Sequence, residues 1–109
     1  MNIQIFGKNK CFDTKKAERY FKERGVKYHS VNILEKNLSK GELASVVNAV
    51  GIDALVNSKS ADYHLFKYLT QDAQSEKLLE TPGLLNTPIV RNGKQATVGY
   101  RPEDWKTWK

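Results

Sequence analysis

The sequence predicts a single small α/β domain spanning residues 1–109, with helices packed on a small mixed sheet, and three observations carry that expectation. A strand, a helix and a second strand fit within the first 34 residues. That is a βαβ unit, whose strands pair in parallel through a right-handed crossover. Near the C-terminus an Asn92-Gly93 pair separates two short β-patterned runs, the strongest short-range hairpin signal there is. Between residues 39 and 83 no strand pattern occurs, so a helical lobe is inserted there and the order reads β-α-β, helices, β-β-α.

Each element has a local cause. Residues 2–6 alternate Ile3 and Ile5 with polar neighbours before Gly7, which predicts a strand running into a loop over residues 7–12. From 14 to 24 the apolar positions Ala17, Tyr20 and Phe21 fall at helical spacing, with Asp13 or Thr14 as N-cap and Gly25 as the stop. Residues 26–34 interleave Val31 and Ile33 with Tyr28, Ser30 and Asn32 and read as the second strand. Ser39-Lys40-Gly41-Glu42 is a capping box ahead of Leu43, Val46, Val47 and Val50, closed by Gly51. Two weaker helices follow: from 60 or 61 to 69, with Leu65, Phe66 and Leu69 on one face, and from 72 to 79, ended by Thr81-Pro82-Gly83. Strands at 88–91 and 94–98 flank Asn92-Gly93. A terminal helix then opens at Pro102, with acids in its first turn and Trp105 and Trp108 for one buried face. Tyr63, Phe66, Trp105 and Trp108 are assigned to packing.

Composition excludes several functions. With one cysteine among 109 residues an internal disulfide is impossible, and Cys₂His₂ and Cys₄ zinc sites are excluded by the same count. His29 and His64 stand alone, so no metal is expected. No apolar run approaches the roughly 20 residues of a membrane span, and MNIQIFGKNK reads as strand and turn, which together predict a soluble, cytoplasmic protein. The net charge is +6, and residues 1–36 hold nine Lys/Arg against four Asp/Glu, whereas residues 37–109 hold nine against eight. The excess surrounds the single thiol. Lys8, Lys10, Lys15 and Lys16 all lie within five residues of Cys11, and cations around a cysteine favour its thiolate.

Cys11 falls between a strand and a helix start, where free backbone N–H groups and the positive end of the helix dipole favour an anion. Asp13, two residues on, would oppose ionisation if its carboxylate faced the sulfur. The sequence leaves that sign open, and a small buried hydrophobe is the alternative reading of a lone cysteine. Lys15, Arg19 and Lys22 share a helix face, with Glu18 placed to pair with Lys22. Such a face suits solvent, a glutathione carboxylate or an acidic protein partner. A nucleic-acid surface is not favoured, because Tyr20 and Phe21 belong to the core and no exposed aromatics interleave the charge.

The stretches IQIFGKNKCFDTKKAERYFKERGVKYHSVNI, LVNSKSADYHLFKYL and LLNTPIVRNGKQATVGYRPEDWK together resemble the arsenate-reductase-like family, the group that includes Spx-type transcriptional regulators. The likeness spans nearly the whole chain. It rests on a cysteine in the first loop, Lys15-Lys16-Ala17, Thr87-Pro88 before a Val-x-Asn-Gly-Lys hairpin, and Val98-Gly99 at the following strand end. The resemblance implies a thioredoxin-like fold with an inserted helical lobe. It makes Cys11 the nucleophile and implies a cis peptide at Thr87-Pro88 that presents a substrate backbone beside the thiol. Gly7 stands where typical arsenate reductases carry His, Asn57 and Tyr100 stand where oxyanion-binding arginines are expected, and only Asn86 and Thr87 precede the proline. Lysine or asparagine does not replace bidentate arginine at equal strength, so arsenate reduction itself is not expected. Thr14 occupies the place of the second cysteine of the Spx-type Cys-x-x-Cys switch, which removes that switch.

The resulting expectation is a glutathione- or glutaredoxin-dependent thiol reductase with Cys11 as its catalytic residue. Lys8, Lys10, Thr14, Asn57, Thr87, Pro88 and Arg101 are expected to bind anion or substrate. No bound cofactor is implied; glutathione enters as co-substrate, since a single cysteine needs an external resolving thiol. The alternative is an Spx-like, non-enzymatic regulator that binds RNA polymerase or another protein, supported by Gly51 at the head of GIDALVN and by the basic first third.

Overall fold

A central strand, β1 (Ile3–Gly7), pairs in parallel with β2 (Tyr28–Asn32) and antiparallel with β3 (Ile89–Asn92), and β4 (Gln95–Val98) completes the order β2-β1-β3-β4. This computed structural model describes residues 1–108, so Lys109, the end of the expected domain, lies outside the described residues. The sheet is mixed, as a βαβ unit followed by a hairpin requires.

Both faces of the sheet are covered. Ile3 and Ile5 enter a cluster with Ala17, Tyr20 and Phe21 of α1 (Phe12–Glu23) and Trp105 of α6 (Pro102–Trp105). Phe6 turns to the opposite face and a second cluster with Ile33, Leu43, Val46, Leu55, Phe66 and Leu78, supplied largely by the helices between β2 and β3. In β3, Val90 joins the first cluster and Ile89 the second. The two-residue alternation of a strand thus gives adjacent apolar pairs, Ile5-Phe6 and Ile89-Val90, wherever both faces are buried.

The helix signals hold where a cap or a stop is chemical. α1 ends in a complete Schellman motif: Gly25 at φ +68° donates its N–H to Lys22 O, and Val26 donates to Phe21 O. α2 (Lys40–Val50) has the full capping box, with Glu42 N–H donating to Ser39 Oγ at 3.1 Å and Ser39 N–H to Glu42 Oε1 at 2.8 Å. A short turn, α3 (Ile52–Leu55), follows without a sequence signal. α5 (Gln71–Glu80) begins earlier than its periodicity suggests, because Thr70 Oγ1 accepts from Ala73 N–H and caps it. Trp105 carries the terminal helix into the core and donates its indole N–H to Thr97 Oγ1 at 2.8 Å.

Five expectations need correction. The helix expected up to residue 69 is only α4 (Tyr63–Phe66), in which Phe66 is buried while Leu65 is 64% exposed and Leu69 is also exposed. One anchored aromatic holds a turn, not a helix face. The second strand is shorter than 26–34, because β1 offers it only five partner residues. The hairpin is one residue out of register: Asn92 pairs with Gln95, so Gly93-Lys94 forms the loop. With positive φ at Gly93 alone, this follows the Gly-first II′ pattern and not the Asn-Gly I′ one. Glu18 accepts a hydrogen bond from Ser30 Oγ on β2 and makes no ion pair with Lys22. Finally, α1 starts at Phe12, with Cys11 itself as N-cap in place of Asp13 or Thr14. Phe12 is 78% exposed, so apolar periodicity could not detect that first turn.

Candidate functional site

The loop after β1 and the first turn of α1, continuous at Cys11, are met there by the sequence-distant Thr87-Pro88 segment that enters β3. The loop is closed by Cys11 N–H donating to Lys8 O at 3.2 Å, and Lys15 N–H returns to Cys11 O at 3.3 Å to start the helix. The thiol is half-buried, and its Sγ donates to Thr87 O at 3.6 Å. The Thr87-Pro88 peptide is cis.

Burial pushes the Cys11 thiol up, but hydrogen bonding more than offsets it, and the net result lies below the ordinary thiol value. The hydroxyls of Thr14 and Thr87 contribute most of that, followed by the backbone N–H groups of Thr14 and Asp13. A neutral thiol is a weak acceptor and makes no capping bond, whereas a thiolate at the N-cap meets these donors. The open sign of Asp13 is thereby resolved. It faces the sulfur with its N–H, while its carboxylate lies 4.0 Å from Lys16 Nζ.

Gly7 makes room for the Thr14 side chain. A Cβ on Gly7 would stand 2.2 Å from Thr14 Cγ2 and 2.6 Å from Oγ1. Thr14 is 6% exposed, and its hydroxyl has no hydrogen-bond partner of ordinary geometry, which leaves it available to an ionised sulfur. Gly7 is therefore part of the site, although its residue type alone announces only a loop.

Lys8, expected to bind an anion or substrate, meets backbone carbonyls of the chain itself. Its ammonium donates to Leu85 O at 2.7 Å and Gly83 O at 3.2 Å, tying the cysteine loop to the short 3₁₀ turn Pro82–Leu84 and the residue after it. Burial lowers its pKa, and the negative sulfur of Cys11 opposes that shift. It thus acts as a fixed charge beside the thiol. The two carbonyls that hold it carry no side-chain signal and were not legible from residue types.

The remaining candidates are not drawn into this cluster by any described contact. Lys10 is exposed and has no described partner. Asn57 spends its side chain on a local turn, accepting from Lys59 N–H at 3.0 Å, and its backbone N–H binds Leu84 O. Arg101 turns back onto its own strand end, with Nε donating to Val98 O at 3.4 Å. The arrangement brings Cys11, Lys8, Thr14, Thr87 and Pro88 together, a thiolate-stabilising set without an arginine cage. Among the described residues no group of three or more His, Cys, Asp and Glu could hold a metal, and no helix is long and apolar enough to cross a membrane.

The family model described as "ArsC family" matches residues 6–108. The Global transcriptional regulator Spx 2 of Oceanobacillus iheyensis is 31% identical over 95% of this chain and 81% of its own length. An arsenate reductase from Vibrio cholerae superposes with a TM-score of 0.83 at 25% identity, covering 95% of this chain and 94% of that one. NrdH-redoxin from Escherichia coli, a glutaredoxin-like protein, shares the fold more loosely, with a TM-score of 0.54 at 16% identity over 100% of this chain and 96% of the other.

Proposed function

Since this chain belongs to the ArsC family, we propose that it is a thiol-exchange reductase in which Cys11 is the nucleophile and glutathione or a glutaredoxin-type protein supplies the second thiol. The observation that carries the reading is the half-buried Cys11 sulfur at the N-cap of α1, facing Thr14, Thr87 and Lys8, all of which favour its thiolate. A helix N-terminus and fixed donors lower the energy of the reactive form without a metal or a base.

In the proposed cycle the Cys11 thiolate attacks a substrate disulfide, forming a mixed disulfide and expelling the other sulfur as a thiolate that takes a proton from solvent. A glutathione thiolate then attacks the mixed disulfide at the substrate sulfur, returning Cys11 as thiolate. A second glutathione releases the substrate thiol and leaves oxidised glutathione. One disulfide is reduced and two glutathione thiols are oxidised. The external donor is required because no second cysteine exists in the chain. Thr87 O, on which the thiol rests, marks the side on which a substrate sulfur would enter beside Pro88. Arsenate reduction is not part of the proposal, because Asn57 and Tyr100 stand where oxyanion-binding arginines are expected, and Arg101 donates its Nε to Val98 O.

The test is the alkylation rate of Cys11 against pH, combined with intact mass after exposure to oxidised glutathione. A midpoint below the free-thiol value of about 8.5 and a glutathione adduct are expected. A midpoint at or above that value with no adduct would defeat the reading.

The second reading is a regulator that binds RNA polymerase or another protein without thiol chemistry, and the likeness to a transcriptional regulator over most of the chain favours it. Thr14 in place of a second cysteine is compatible with a regulator that has no redox switch. Partner binding that survives Cys11→Ser supports this reading, whereas thiol transfer lost with Cys11→Ser supports the first.

A further inference from the structure

We infer that the groove between the outer face of α1 and α6 docks an acidic segment of the protein partner whose sulfur is exchanged at Cys11. The inference rests on the thiol-exchange reading above and names the partner class.

The groove has a volume of about 530 Å³ and is lined by four cations, Lys16, Arg19, Arg24 and Lys106, against the single carboxylate of Glu23. Among the described residues, Arg19, Arg24 and Lys106 form no ion pair, and Lys16 pairs only with Asp13, at 4.0 Å. With four cations against one carboxylate the lining keeps a net positive charge, which favours a negatively charged ligand. Part of the surface is already ordered. The Arg24 guanidinium stacks 3.7 Å from the Tyr20 ring centroid and donates to Tyr20 O, so little freedom remains for it to lose on binding. Tyr100, 41% exposed, stands edge-on to Trp105 at 5.6 Å and has Lys16 Nζ 5.9 Å from its own ring. Arginine and tyrosine on a rigid base are the residue types that protein interfaces favour.

Two features point to a peptide and not to a single inorganic anion. The volume lies in the range of pockets that hold ligands of many atoms. The groove is also linked through the chain to the segments that carry the thiol site. Gly99 N–H donates to Pro88 O at 2.8 Å, and the next residue, Tyr100, begins the groove wall; on the other side Lys16 lies on the helix that Cys11 caps. A segment that presents a sulfur beside Pro88 can continue along α1 into the cations.

The experiment uses the Cys11→Ser protein, so that binding is read without covalent capture. A fluorescein-labelled Glu-rich peptide with one tyrosine, and a matched Gln-rich peptide, are titrated by anisotropy at about 0.1 M ionic strength, where surface charges beyond about 10 Å are screened. The Glu-rich peptide is expected to bind and the Gln-rich one is not. Arg19→Glu with Lys106→Glu should weaken binding by about tenfold or more, and the milder Arg19→Gln with Lys106→Gln should weaken it less. Lys36→Glu with Lys40→Glu, which changes the net charge equally at a distance from the groove, should weaken it by less than about threefold. Equal loss from both charge-reversed pairs, equal binding of the Gln-rich peptide, or displacement by equimolar inorganic pyrophosphate would overturn the proposal. A reactive Cys11 in the wild-type protein without peptide binding removes the groove alone. Peptide binding beside an inert Cys11 removes the exchange reading and leaves the docking surface standing.

Discussion

The cysteine loop and the segment from 58 to 69 are both surface connections, yet they are built by opposite means. Around Cys11 the bonds that matter reach across the chain, Lys8 to Gly83 and Leu85 and Sγ to Thr87, and nearer in sequence Gly7 interlocks with Thr14. The other segment is held by local turns such as Ser60 N–H to Asn57 O and Lys67 N–H to Tyr63 O. Phe66 alone is fully buried there, and Gln74 Nε2 ties Phe66 O to α5. Leu65, Tyr68 and Leu69 remain exposed. The contrast teaches where precision resides. A reactive sulfur needs several donors held at once, and long-range ties fix their positions better than local turns do, whereas a covering segment needs one apolar plug.

Phe66→Ala gives the largest expected effect. Removing a fully buried aromatic should cost about 3–5 kcal/mol, read as a lower denaturation midpoint. The pH midpoint of Cys11 alkylation in the folded variant should stay where it is, and a change in it would break the separation of the two regions. Gly7→Ala comes next. The new methyl meets Thr14, so overpacking should cost about 1–3 kcal/mol, and displacing the hydroxyl should raise the alkylation midpoint. Adding Thr14→Ala should recover part of the stability and none of the reactivity. Lys8→Met removes two ties to carbonyls and the charge beside the thiol. A loss of about 1–2 kcal/mol in chemical denaturation and an upward midpoint are expected, with Lys8→Arg recovering the midpoint in part. The smallest stability change belongs to Thr14→Val. Replacing an unpartnered buried hydroxyl by a methyl should leave stability within about 1 kcal/mol or raise it. The thiolate loses a donor, so the alkylation midpoint must still move up. An unchanged midpoint would show that Thr14 only packs against Gly7.

Much of the architecture was legible because its causes are local. The capping box at Ser39, the Schellman stop at Gly25, the proline that opens α6 and the two-residue alternation of β1 act through neighbouring backbone groups, and each stands where the residues place it. Errors arose where tertiary packing outweighed local pattern. The strand β2 is limited by the length of its partner, the hairpin loop by strand register, α4 by how few of its apolar side chains find a core, and Glu18 by a serine on β2.

For the site, residue types and family likeness pointed to Cys11, to Thr87-Pro88 and to a cationic surrounding. Only the fold decided which partners each group meets. It tied Lys8 to two backbone carbonyls, faced Asp13 to the sulfur with its N–H, and gave Asn57 and Arg101 partners in their own turns. The physical reason is that hydrogen bonds and steric contacts act over a few ångströms while their partners here lie about 75 residues apart, a proximity that no local pattern encodes and that the closed sheet creates.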